Sequence, residues 1–216
     1  MLLGTDAAGK DHVARVWTTR LAELGRDPIV QAGWLSGSPV DLGVEDDKSW
    51  FAHLAEATFL RVFPWIRWAM PSVLSFLIYR DLRRFPNDGR RRLVVSHSAL
   101  RILAFCLGTR GEAALSASSR RAVRAFYRRS GARVIVLDVD PAVRRRRIEA
   151  RLDRDDADPF DRFMLADSKR SERIEAWLVR LATDHMDAHL IVNDELDDET
   201  LWRELEVACG AASRPR

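Results

Sequence analysis

Gly4-Thr5-Asp6-Ala7-Ala8-Gly9-Lys10 carries the strongest fold signal in this chain. It fits G-x-x-x-x-G-K, in which glycines let successive backbone N–H groups turn inward around a polyphosphate. Leu2 and Leu3 before it read as the end of a buried strand, and Asp11 to Glu23 after it as a helix. That strand–loop–helix setting is the one the motif requires. The helix N-terminus adds partial positive charge, and Lys10 is spaced to reach the β- and γ-phosphates of a nucleotide. Gly4, Thr5, Ala7, Ala8, Gly9, Lys10, Asp11 and His12 therefore form the candidate cradle. A strand of this kind usually has about five or six residues, so the first strand is expected to be very short or cut off at its start.

Working outward, 216 residues with 47% hydrophobic and 31% charged content suit one domain with a sizeable core. The net charge of +3 makes no case for nucleic-acid binding. Lysine occurs only at Lys10, Lys48 and Lys169, and every other basic residue is arginine. Arginine forks suit phosphates, although a GC-rich coding bias is the better explanation for most of them. Cys106 and Cys209 form no C-x-x-C pair, which indicates neither a disulfide framework nor a zinc site and fits a reducing, cytoplasmic setting. The most apolar stretch, Phe59 to Tyr79, is broken by Arg61, Pro64, Arg67 and Pro71, so no membrane span is expected. A buried helix pair or a dimer face accounts for it better.

Strands and helices alternate along the rest of the chain, which argues for a parallel sheet with crossover helices. Strands are expected over Pro28–Ala32, Arg92–Ser96, Val134–Val139 and Leu190–Val192. Between them, helical spacing runs through Trp50–Arg61, Pro71–Arg84, Ala99–Cys106 and Arg120–Arg129. Asp140-Pro141 opens a further helix with an acidic N-cap and a first-turn proline. The acidic stretch Asp153–Asp161 reads as a mobile loop, followed by one long helix over about Phe163–Thr183 and a closing helix over Asp197–Val207.

With these residues in view, the chain resembles the thymidylate kinase group of P-loop nucleoside monophosphate kinases. Four places carry the resemblance. The first is the loop itself, where Asp6 sits at that family's acidic position. The second is Leu74 to Arg80, similar to the family helix in which a Phe stacks on the base and an Arg holds the acceptor phosphate. A spacing of four puts Phe76 and Arg80 on one helix face. The third runs from Leu137-Asp138-Val139-Asp140-Pro141 through Arg147, Arg151 and Asp161, like the family's strand, helix and arginine-bearing lid over about residues 144–162. The fourth is the ending, from Phe163 to Trp177 and then Ile191-Val192-Asn193-Asp194, which in the family packs near the donor adenine. The resemblance implies a three-layer α/β/α sandwich with a parallel sheet of about five strands, spanning residues 1–216. It also implies ATP as donor, Mg²⁺, and pairing of two copies through apolar helices. Two family features are absent. Ser96-His97-Ser98 replaces an acidic-Arg-aromatic triplet, and Gly33 to Pro39 replaces an Arg-Glu-Pro or Phe-Pro-Arg signature. Both lie on the acceptor side, which points to an acceptor other than thymidylate.

Phosphoryl transfer asks for in-line positioning and for positive charge where negative charge gathers. Lys10, with Arg147 and Arg151 from the lid, is the expected source. Arg147 and Arg151 share a helix face, whereas Arg144, Arg145 and Arg146 read as a solvated face. Asp6 either contacts an acceptor hydroxyl or a metal-bound water, or closes an Asx turn. Asp11 stands where the motif usually has Ser or Thr, and is read either as the Mg²⁺ ligand or as a first-turn acid favoured by the helix dipole. Ser96 and His97 emerge at the carboxyl end of a central strand, where open α/β sheets place ligands, and Arg101 follows one turn on. The leading expectation is an ATP-dependent kinase acting on a nucleotide or related small metabolite. A polyphosphate-using kinase and a nucleotide-binding regulator with little turnover are the alternatives.

Overall fold

The computed structural model describes residues 1–31 apart from 6 and 27, residues 92–95, 99–111 and 133–210, and isolated positions between them. Strand β1 (Leu2–Leu3) leads through the glycine loop into helix α1 (Lys10–Glu23) and then strand β2 (Ile29–Gln31). Strand β3 (Arg92–Val94) precedes helix α2 (Ala99–Arg110). Strand β4 (Ile135–Asp138) is followed by helices α3 (Pro141–Asp153), α4 (Pro159–Leu165) and α5 (Ser168–Met186). Strand β5 (His189–Val192) and helix α6 (Asp198–Gly210) complete the described chain.

Among the described residues all strand pairs are parallel. β4 lies between β1 and β5, with Leu2 opposite Ile135 and Asp138 opposite Val192. β2 and β3 pair separately, Ile29 opposite Arg92. One parallel bridge, Leu2 to Val95, links the two ladders. The single sheet of about five strands that the resemblance implied is therefore a three-stranded and a two-stranded ladder among the described residues. The reason is the length of β1, since two residues offer one bridge to β3 once β4 is paired.

The period-two alternation of strands divides the core. Leu3, Val134 and Val136 face one side and pack with α2 and α5 through Leu103, Leu107, Ile174 and Leu178. Leu2, Ile135, Leu137 and Val139 face the other side and pack with α1 and α6 through Val13, Trp17, Leu201 and Leu205. Helices thus cover both faces, and both faces of β4 are buried, in keeping with its unbroken apolar run.

Local capping sets the helix ends. Asp140 accepts from the N–H groups of Ala142 and Val143 at 2.8 and 3.3 Å, with Pro141 in the first turn. Asp158 and Asp161 form a capping box that opens α4 within the stretch expected to be a mobile loop. The single long helix expected from Phe163 is instead two. Asp167 takes an extended conformation and accepts from the Arg170 N–H at 3.0 Å, which starts α5 afresh. Both halves carry helical periodicity, so periodicity alone concealed the break.

Candidate active site at the glycine loop

The loop follows β1, at the carboxyl ends of parallel strands, where crossover folds of this type gather ligands. Gly9 adopts the left-handed conformation, φ 83° and ψ 23°, immediately before α1. Ala7 is also left-handed, with φ 59°. The Ala8 N–H donates to the Thr5 carbonyl at 3.3 Å, and the Val13 N–H donates to Gly9 at 3.0 Å as the helix begins. Lys10 is buried, and its Nζ donates to the carbonyls of Gly4 at 3.2 Å and Thr5 at 2.6 Å. The ammonium therefore lies against the loop's own backbone beside the amino end of α1, a site with the positive field an anion needs.

Among the described residues, three segments grip this loop from outside. Arg147 of α3 donates from Nη1 to the Ala7 carbonyl at 3.3 Å. Its Nη2 donates to the carbonyls of Asn193 at 3.0 Å and Asp194 at 2.6 Å. Asn193, buried just beyond β5, donates from Nδ2 to the Ala8 carbonyl at 2.8 Å. Thr5 donates its hydroxyl to Oε1 of Glu175 on α5 at 3.1 Å.

Arg144 requires a correction. It was expected on a solvated face, yet it is 3% exposed and pairs with Glu175. The physical reason lies in the helix period: position 144 shares the buried stripe of Ile148, four residues on, with the half-buried Arg147 and Arg151 beside it. Burial pulls its guanidinium below the usual range, while Glu172, Asp138 and Asp140 act to hold the charge. Arg145 and Arg146 do lie in solvent, bonded to Glu149 at 2.8 Å and Glu195 at 3.2 Å.

Arg151 is half-buried, and its Nη1 lies 3.1 Å from Oδ2 of Asp161, a carboxylate with no exposed surface. The arginine of the expected lid is thus tied to the cap that opens α4. Arg101 is buried on α2 with its guanidinium carbon 5.7 Å from the Phe160 ring centroid, also in α4. Asp11 stands exposed in the first turn of α1. His12 pairs with Asp198 at 3.0 Å, which turns it toward the start of α6. Phe76 is helical and 55% exposed. Asp6, Arg80, Ser96 and His97 lie outside the described residues, as does the loop from Gly33 to Pro39.

By sequence Arg144 belongs to a solvated face, Asn193 only to the closing stretch near the donor adenine, and Glu175 carries no motif. Glu175 and Ser171 sit on the same face of α5 as the buried Ile174, Leu178 and Leu181, so an acid on an apolar stripe was the available signal. Asn193 directly follows β5, in the position where strand ends meet the loop.

Taken together, the loop has the amino end of α1, a buried ammonium and the Arg147 guanidinium against it, a combination suited to a polyphosphate. Among the described residues, no group of three or more His, Cys, Asp or Glu side chains is placed to hold a metal, and no helix is long and apolar enough to cross a membrane.

No family model matches the sequence, and no curated protein does. A solved structure of deoxyadenosine kinase from M. mycoides with bound dATP matches over 97% of this chain and 97% of its own, with a TM-score of 0.52 and 14% sequence identity. This chain shares the fold of that kinase.

Proposed function

We propose that this protein is a phosphotransferase that moves the γ-phosphate of ATP onto a small acceptor of the nucleoside or nucleotide class. The observation that carries the reading is the loop itself: a left-handed Gly9 leads into the amino end of α1, and the Lys10 ammonium is buried against the loop's own carbonyls. The likeness in fold to a deoxyadenosine kinase that holds dATP supports a nucleoside or nucleotide as acceptor. Thymidylate is not favoured, given Ser96-His97-Ser98 where the resembled family has an acid and an arginine.

In this reading the loop N–H groups hold the β-phosphate, and Lys10 leaves the carbonyls of Gly4 and Thr5 to contact the transferred group. Arg151 and Arg147 supply further positive charge when the lid segment closes, Arg151 exchanging Asp161 for phosphate oxygen. Asp6 contacts the acceptor hydroxyl or a metal-bound water. Phe76, Arg80, Ser96, His97 and Arg101 form the acceptor side. Asp11 suits Mg²⁺ by chemistry, as an exposed hard oxygen donor next to Lys10, and this ion commonly takes one or two carboxylates with phosphate oxygens. Mg²⁺ would neutralise charge on the phosphates. A homodimer belongs to the same proposal.

The test is phosphate transfer from ATP and Mg²⁺ to a panel of nucleosides, deoxynucleosides and nucleoside monophosphates, with Lys10→Ala as control. Transfer to one acceptor class, reduced about 100-fold or more in the variant, is expected from the loss of a charge in a preorganised site. Tight ATP binding with no transfer to any acceptor would overturn the enzyme reading in favour of a nucleotide-binding regulator. Transfer with polyphosphate in place of ATP would overturn the assignment of the donor.

A further inference from the structure

We propose that Glu175 is a positioning residue for the glycine loop, fixing Thr5 through its hydroxyl while Arg144 fixes the carboxylate. Its effect on nucleotide binding rests on the phosphotransferase reading, whereas the brace itself rests on geometry.

Thr5 is 2% exposed, Glu175 6% and Arg144 3%, so the whole network is buried. One carboxylate oxygen accepts from the Thr5 hydroxyl at 3.1 Å and the other pairs with Arg144. Each residue belongs to a different segment: the loop, α5 and α3. A buried ion pair brings a desolvation cost that well-packed apolar residues of the same volume avoid. A hydrophobic pair between α3 and α5 would join those helices, but it would leave the Thr5 hydroxyl without an acceptor.

The placement of the contact explains what it adds. Ala7 is held by Arg147 and Ala8 by Asn193, both on the helix side of position 6. Glu175 holds Thr5 on the strand side. Thr5 also supplies the carbonyl that accepts from Lys10 Nζ and from the Ala8 N–H. Moving Thr5 therefore shifts the ammonium and the loop turn together, and preorganised donors lose their value when their supports loosen. Arg144 lies one turn before Arg147, so α3 grips the loop at two points, directly at Ala7 and through Glu175 at Thr5.

Two double variants separate positioning from packing. Arg144→Met with Glu175→Gln removes the charges but keeps a carbonyl oxygen for the Thr5 hydroxyl. Arg144→Met with Glu175→Leu removes the charges and the acceptor. Neither leaves a buried charge unpaired. Thermal unfolding, amide hydrogen exchange over residues 1–10 and ATP affinity by calorimetry are measured on the full chain. The two variants should melt within a few degrees of each other. Loop exchange should be about tenfold faster, and ATP binding about tenfold weaker, in the Leu variant alone. Thr5→Val, which keeps the ion pair, should reproduce the Leu phenotype and serves if either double variant fails to fold. Equal loop exchange in the Gln and Leu variants, or parent-like exchange in Thr5→Val, overturns the proposal. Separated exchange in a protein whose parent binds no ATP leaves the brace standing and removes the phosphotransferase reading instead.

Discussion

Replacing Gly9 by alanine tests two features of the loop at once. Gly9 has φ 83°, and a non-glycine residue in left-handed helical geometry is disfavoured by about 1–2 kcal/mol. An added Cβ would also come within 2.6 Å of Asn193 Nδ2, far inside contact distance. Asn193 is buried and donates through that same nitrogen to Ala8 at 2.8 Å, so it must yield. Loss of that bond adds roughly 1 kcal/mol, and more if the Ala8 carbonyl is left without a partner. Gly9→Ala should therefore be destabilised by about 2–3 kcal/mol, or about 4–12 °C in melting temperature for a chain of this size. Urea and thermal unfolding of Gly9→Ala, Asn193→Ala and the double variant would measure it. With the clash gone, the double variant should be about 1 kcal/mol more stable than the sum of the singles predicts. A Gly9→Ala protein within about 0.5 kcal/mol of the parent refutes the left-handed loop. Strict additivity would refute the close approach of Asn193.

Three further outcomes follow from other parts of the molecule. An alanine Cβ at Gly108 would lie 2.5 Å from the Cα of Ile174, where α2 crosses α5, so Gly108→Ala should cost about 1–3 kcal/mol in urea unfolding. Burial pushes the Cys106 thiol from 9.0 up to about 12, so a thiol reagent at neutral pH should label the half-buried Cys209 and spare Cys106 in the folded protein, as mass spectrometry would read. Because the folded value is the higher one, this thiol's contribution to stability is intact below pH 9 and is lost as pH rises toward 12; Cys106→Ala should flatten that part of the profile. The Asp197 carboxylate, capping α6, is held below its usual range by hydrogen bonds from the Thr200 backbone and hydroxyl. Its contribution is present above the unfolded carboxylate value and disappears as pH falls through the lower folded value, so Asp197→Asn should lose that acid-side dependence in unfolding measured from pH 6 to pH 2.

The loop was legible from neighbouring residues, because G-x-x-x-x-G-K leaves few backbone paths once an apolar pair precedes it and a helix follows. The alternation of strands and helices among the described residues and the cap at Asp140-Pro141 were legible too, since those signals lie within a few neighbouring residues. Where the charges ended up depended on packing between distant segments. Arg144 and Glu175 are separated by many residues, and only the packing of α3 against α5 makes them a buried pair behind Thr5. The same holds for Arg151, which periodicity put on the right face but only the capping box of α4 joined to Asp161. It holds again for Asn193, brought to Ala8 by the parallel pairing of β1, β4 and β5. Local rules fix what each segment becomes; which side chains share a site depends on contacts between segments, and in a parallel sheet with crossover helices those contacts are long-range.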